Sequence, residues 1–329
     1  VINTSTPAWM QPRSPCVKSR YKQTPVDEFE LIRRYFTRGA HAADVIVGIG
    51  DDGAVLSPEP GTQQVQVIDT MVEGVHFPSG MAAADIGYRV VAVNLSDLAA
   101  MGAKPRWMTL ALTLSGQDER WVDEFASGLF AAAREHDVEL VGGDTTSGEV
   151  VVATVHMTGV VDEGAALLRS GAQVGDTVFV TGTVGDAAAG LAMLQGGERE
   201  GYLQQRFLRP SARVAKGREL IGRASAAIDL SDGLVGDLRK LLDASGVGAE
   251  IDLGRVPMSE ALRQRFDAHE ALEFALTGGD DYELLFTGPS DIDVDDVTPI
   301  GVVTAGTELR CRLNGELVEV DDAGYRHFA

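Results

Sequence analysis

Apolar positions along this chain recur with two periods, and the switches between them mark out strands and helices. Thr24 and Pro25 ahead of Asp27 read as an N-cap, a first-turn proline and a first-turn acid. Phe29, Ile32 and Phe36 then follow at helical spacing, and Gly39 closes the segment. Residues 45–47 and 65–67 read as short strands, the second ending at Asp69. Residues 86–101 form a helix apolar almost all round, hence a buried one. Met108, Leu110, Leu112 and Leu114 alternate with Thr109, Ala111 and Thr113, a strand with two unlike faces. Its apolar face is expected to remain uncovered and to receive a second copy of the chain. Trp121, Phe125 and Leu129 mark a further helix, and residues 150–160 a further strand.

The second half repeats the mixture. Strands are expected at 178–180, 226–228 and 282–286. Helices are expected from Asp186, which is expected to cap its own helix, over 210–222 and over 234–242. Strands and helices interleaved in this way predict an α/β protein with mixed sheets. At roughly 100–200 residues per domain, 329 residues predict two domains. The expected division is a solvated tail over 1–24, a first domain over 25–162 and a second over 163–329. The tail carries Pro7, Pro12, Pro15 and four basic residues, with no acid before Asp27. The boundary falls at Asp162, Glu163 and Gly164, where polar and glycine residues follow a strand.

Charge narrows the function. Lys plus Arg is 28 against 49 for Asp plus Glu, a formal net charge of −21. Such a surface repels nucleic acid and anionic lipid, so neither is an expected partner. Two isolated cysteines, Cys16 and Cys311, make no disulfide framework or thiolate metal site. No apolar run approaches the roughly 20 residues of a membrane span. A cytoplasmic protein is expected.

The chemistry lies in the aspartates. The loop of residues 48–53 spells G-x-G-x-x-G after a strand. A dinucleotide fingerprint needs a helix N-terminus for the pyrophosphate, yet Ser57, Pro58, Glu59, Pro60 and Gly61 soon follow. Asp51 and Asp52 inside the loop would repel a bare pyrophosphate and welcome one carrying a divalent cation. No G-x-x-x-x-G-K-[ST] loop is present. Further aspartates stand where elements are expected to end: Asp69, Asp144 after Gly142 and Gly143, Asp229 and Asp232, and Asp280 with Asp281 after Gly278 and Gly279. Asp97 falls in line with Ile86, Val90 and Val93 on the buried helix. A carboxylate there is disfavoured unless paired. Arg89 and Lys104 lie outside the i±3 and i±4 positions, so a hard cation with oxygen ligands fits better.

Residues 94–103, Asn-Leu-Ser-Asp-Leu-Ala-Ala-Met-Gly-Ala, resemble the corresponding helix of the AIR-synthetase-like ATP-binding superfamily. Residues 69–77, 228–234 and 278–284 are similar to the thiamine-monophosphate kinase family within it, as is the ending Gly324-Tyr325-Arg326-His327-Phe328. The resemblance covers about residues 27–328 in one continuous order. It implies a two-domain AIR-synthetase-like fold whose N-terminal domain pairs sheet to sheet in a homodimer. It implies ATP and thiamine monophosphate as substrates and several Mg2+ ions. Carried over by position, Asp52, Asp69, Asp97, Asp144 and Asp229 would hold magnesium on the ATP phosphates, with Asp232 holding a further ion. Gly143, Asp144, Arg169 and Ser231 would contact ATP, while His76, Asp280 and Tyr325 would face thiamine phosphate. No side-chain base is implied.

Two departures stand out. Val67 and Ile68 replace the Ser-Thr that often precedes Asp69, leaving only the Ile68 carbonyl as a metal ligand there. Asp280 stands where the family often has Glu, shorter by one methylene. Sister families share the metal–ATP chemistry, but selenophosphate synthetase needs a reactive Cys or selenocysteine in a Gly-rich segment. Cys16 lies in a Pro/Lys tail instead, and the C-terminal cysteine of the hydrogenase-maturation factor has no counterpart in His327-Phe328-Ala329.

Overall fold

A computed structural model describes residues 28–37 and 42–320. The tail, the helix start at Thr24, Pro25 and Asp27, the Gly39 stop, Cys16 and the Tyr325 segment lie outside the described residues, as does the side chain of Phe29.

A short helix α1 (Glu28–Leu31) runs on as a π-helical turn, Ile32–Phe36. A two-stranded hairpin, β1 (Val45–Val47) and β2 (Val55–Leu56), follows. No helix follows the Gly48–Gly53 loop, which accords with rejecting a dinucleotide fingerprint there.

The first large sheet has four strands in the order β3 (Thr62–Val72), β6 (Val152–Asp162), β4 (Lys104–Leu114) and β5 (Glu139–Ser147). Helices α2 (Ala83–Ala100) and α3 (Glu119–Glu135) go with it. Met108, Leu110 and Leu112 are buried, in one core with α2 residues Val90, Val91, Leu95 and Leu98. This corrects the expectation of an uncovered apolar face. The apolar half of β4 faces inward, and the open face carries Ile68, Thr70 and Ala111, all exposed, beside Thr109, Thr154 and His156.

The second sheet has seven strands in the order β13-β12-β9-β11-β7-β10-β8. These are β7 (Thr177–Thr181), β8 (Ala226–Asp229), β9 (Gly248–Asp252), β10 (Leu284–Gly288), β11 (Val297–Thr304), β12 (Leu309–Leu313) and β13 (Glu316–Val318). Its helices are α4 (Asp186–Gln195), α5 (Tyr202–Leu208), α6 (Val214–Glu219), α7 (Leu234–Ser245), α8 (Glu260–Arg265) and α9 (Ala268–Thr277).

Helix α2 is apolar all round because it is enclosed by both halves of the chain. Its core cluster includes Phe179, Leu220, Ala227, Leu284 and Phe286 from the second half. Gly217 of α6 lies so close that an added Cβ would stand 1.9 Å from the Ala99 carbonyl oxygen, so only glycine fits there.

Four expectations need correction. Asp69 lies inside β3 rather than at its end, and Asp144 inside β5 rather than in a turn. The long strand pairing explains both: β3 pairs with β6 over its whole length, and β5 with β4 as far as Ser147. Residues 210–213 are not helical; α6 starts at Val214, and α5 ahead of it escaped the periodicity because it is only seven residues long. Asp186 does not cap α4. It is fully buried and accepts from Thr183 Oγ1 at 2.6 Å and Ser259 Oγ at 2.6 Å. Asp281 takes over the capping from a distant loop, accepting from the Gly185 and Ala187 amides at 2.6 and 3.1 Å.

Candidate active site

The expected ligands gather into two groups. The first lies where α2 and β3 meet the second sheet. In β3, buried Val65 and Met71 share a face with Asp69, so Asp69 points toward α2. Asp97 reaches the same place from the last turn of α2, and Asp229 from the end of β8. Ser96 is fully buried and donates to Asp229 Oδ2 at 2.8 Å, tying α2 to β8.

These carboxyls are strained by their setting. Burial pushes Asp97 up to about 8, with Asp229 and Asp69 pushing the same way and Arg169 opposing. Burial likewise lifts Asp229 to about 7, against the Ser96 hydroxyl. Asp69 is raised too, and a hydrogen bond from the Asp97 carboxyl moderates the rise. A hollow of about 480 Å³ opens onto Asp97, Arg169 and Asp229.

A cleft of about 690 Å³ adjoins this group through Asp69. His76, Arg89, Ser231, Asp232, Asp280 and Tyr282 also line it. His76 Nδ1 accepts from the Val72 amide at 3.0 Å, which puts the proton of the neutral ring on Nε2. The Ser231 and Asp232 amides both donate to Asp237 at 2.9 Å, which shapes their loop. Lys240 bridges Asp232 at 2.5 Å and Asp237 at 2.8 Å.

Arg89, Tyr282, Ser96, Asp237 and Lys240 escaped sequence reasoning. Arg89 left a signal: a guanidinium amid the apolar residues of α2. It is no partner for Asp97 by spacing, and its partner in the structure is Asp280.

Asp52, Gly143 and Asp144 form the second group. They line a cleft of about 670 Å³ with Asp51, Ile32 and Phe36. The strand registers separate the groups. Asp69 pairs with Val155, Val155 with Leu110, and Leu110 with Gly143. Three strand spacings at about 4.8 Å place the two edges roughly 14 Å apart. Asp144 pairs with Ala111 and so lies on the open face, opposite to Asp69. Within one chain the two groups cannot share an ion. Among the described residues, no three His, Cys, Asp or Glu side chains are close enough together to hold a metal unaided. Ile68, 63% exposed, also points its side chain to the open face.

The donor set of the first group nevertheless suits magnesium. It consists of hard carboxylate oxygens, partly or wholly buried, with Arg169 as the cation that moderates Asp97 and Asp229.

Comparison with known proteins defines the class. Residues 50–161 match the N-terminal domain of AIR synthase related protein, and residues 173–314 match its C-terminal domain. Thiamine-monophosphate kinase of Escherichia coli (strain K12) is 47% identical over 321 residues, covering 92% of this chain and 98% of that one. The Bacillus subtilis (strain 168) enzyme of the same name is 35% identical over 328 residues, covering 92% and 100%. The crystal structure of thiamine-monophosphate kinase from Stenotrophomonas maltophilia K279a aligns with a TM-score of 0.77 at 42% identity, covering 84% of this chain and 93% of that one. AaThiL complexed with AMPPCP and TMP aligns at 0.76 and 34% identity, covering 85% and 92%. The chain belongs to the thiamine-monophosphate kinase family. Among the described residues no helix is long and apolar enough to cross a membrane.

Proposed function

We propose that this kinase moves the γ-phosphoryl group of ATP directly onto the phosphate of thiamine monophosphate, giving ADP and thiamine diphosphate. The carrying observation is the meeting of Asp69, Asp97 and Asp229 beside a cleft lined by His76, Ser231, Asp232 and Asp280. The attacking oxygen belongs to a phosphate whose second pKa is about 6, so it is largely ionised at neutral pH and needs no base. That suits a site whose carboxyls are held for binding cations.

Asp69, Asp97 and Asp229 would hold Mg2+, with the Ile68 carbonyl beside them and Asp232 taking a further ion once Lys240 moves off it. Bound magnesium would supply charge neutralisation and alignment of the two phosphate groups. Arg169 and Ser231 are assigned to ATP. His76 and Asp280 face the thiamine phosphate, and Tyr325 is assigned to the same substrate as an aromatic wall.

Asp52, Gly143 and Asp144 belong to the same reaction through a homodimer. Two copies meeting by the open faces of their four-stranded sheets would carry Asp144 of the partner subunit toward the Asp69 edge. Each site would then take its phosphate-binding elements from both protomers. The test is acceptor turnover with Mg-ATP: thiamine monophosphate should be phosphorylated and free thiamine should be inert. Equal turnover of free thiamine would overturn the proposal.

A further inference from the structure

Arg89 is 1% exposed, yet it belongs to the wall of the cleft. Its guanidinium pairs with Asp280 Oδ1, donates to the Phe207 carbonyl, and lies 4.1 Å from the Phe207 ring centroid. Tyr282 donates its hydroxyl to the same Asp280 Oδ1 at 3.0 Å. Both holds therefore fall on one carboxylate oxygen. Asp280 Oδ2 makes no hydrogen bond among the described residues, and the Asp280 side chain is 30% exposed at the cleft.

The backbone is as constrained as the side chain. Asp280 and Tyr282 both have positive φ, 73° and 53°, which is unfavourable for residues with a Cβ. Their amides donate to the Ser231 and Leu230 carbonyls at 2.9 Å each, and Asp281 between them is anchored to the start of α4. Strain held from every side in this way is a mark of a functional loop.

Charge decides what the loop reads. A carboxylate already neutralised by a buried guanidinium has little attraction left for a cation. A permanent cation brought next to Arg89 would be repelled in a low-dielectric wall. An acceptor oxygen remains, and it suits a neutral N–H. Resting on the proposed function, we propose that Arg89 and Tyr282 are positioning residues. They fix Asp280 Oδ2 as the hydrogen-bond acceptor for the pyrimidine amino group of the substrate, with the thiazolium charge lying elsewhere. The spacing agrees: Arg89 and Asp97 are eight residues apart on α2, about 12 Å along the axis. One end of the helix serves the pyrimidine and the other the phosphates.

The experiment measures KM and kcat for thiamine monophosphate and for its analogue with hydrogen in place of the pyrimidine amino group. The unaltered chain should favour the natural substrate by about tenfold or more in kcat/KM, as expected when a site's polar group is left unpaired. Asp280→Ala should bring that ratio close to one. Tyr282→Phe keeps the ring and the ion pair and should narrow the ratio to a few-fold, with the KM for ATP unchanged. Arg89→Lys, which keeps the charge but not the fork, should narrow it further. An unchanged ratio in Asp280→Ala, or a parallel rise of KM for ATP in Tyr282→Phe, would overturn the inference while leaving the kinase reaction standing. Failure of the unaltered chain to phosphorylate thiamine monophosphate would instead remove the reaction, and the inference with it.

Discussion

The two groups of candidate site residues are built in opposite ways. Asp69, Asp97 and Asp229 are drawn from both halves of one chain and held together before any substrate arrives, with Ser96 pinning Asp229. Asp52 and Asp144 are exposed, on the far edge and the open face of the four-stranded sheet. The first arrangement costs stability, because burial and mutual repulsion work against three neighbouring carboxyls. The second costs little, because water still solvates its charges. On the proposed reading, a protein that gathers cations without collapsing on itself would gain from this division, one half of its ligands being preorganised and the other half arriving with a second subunit.

The largest expected effect comes from the preorganised half. Asp97→Asn should lower turnover by a hundredfold or more, in the range seen when a transition-state charge loses one fixed partner (~10²–10³). The metal-free variant should melt no lower than wild type, because the amide removes the cost of keeping a buried carboxyl protonated above its ordinary 3.8. A melting temperature several degrees lower would make Asp97 a structural residue and break the contrast.

Gly143→Ala probes the other half. An added Cβ would stand 2.0 Å from the Leu110 carbonyl oxygen, so β5 must shift and carry Asp144 with it. Overpacking of this kind costs about 1–3 kcal/mol. Thermal unfolding should show that loss, and activity should fall with it. Unchanged stability and activity would mean that β5 tolerates displacement and that Asp144 needs no fixed place.

A smaller effect sharpens the comparison through pH. The ordinary carboxyl value is 3.8, and Asp97 is raised to about 8 in the fold. Between those values the unfolded chain releases the proton and the folded chain keeps it. The folded state binds more protons, so the stability of the metal-free protein falls as pH rises from about 4 to 8. Melting curves without metal should decline across that window, and the decline should be shallower in Asp97→Asn. A decline of unchanged slope in Asp97→Asn would mean that the buried group does not carry it.

Much of the fold was legible in residue spacing. The two faces of β4 were visible in the alternation of Met108, Leu110 and Leu112 with threonine and alanine. Asp97 announced itself as a carboxylate among apolar neighbours. Spacing did not show which face of β4 the chain itself covers, because that depends on α2 folding back over it. Nor did it show that Gly142 and Gly143 continue a strand. Two glycines before an aspartate read as a turn, yet here the irregular register after Met108 carries β5 straight on and turns Asp144 to the open face. Arg89 and Tyr282 were illegible as partners of Asp280 for a simpler reason. A contact between residues 89 and 280 is made by tertiary folding, and no periodicity along the chain encodes it.

The division of the site is tested most directly by mixing two inactive chains. Asp97→Asn carries an intact Asp144, and Asp144→Asn an intact Asp97. If each site draws Asp97 from one protomer and Asp144 from its partner, every mixed dimer contains one complete site. Unfolding and refolding the two variants together in equal amounts should then restore about a quarter of wild-type turnover, since half the dimers are mixed and each has one site of two. Refolded mixtures as inactive as either variant alone would place all the ligands within one chain and contradict the account.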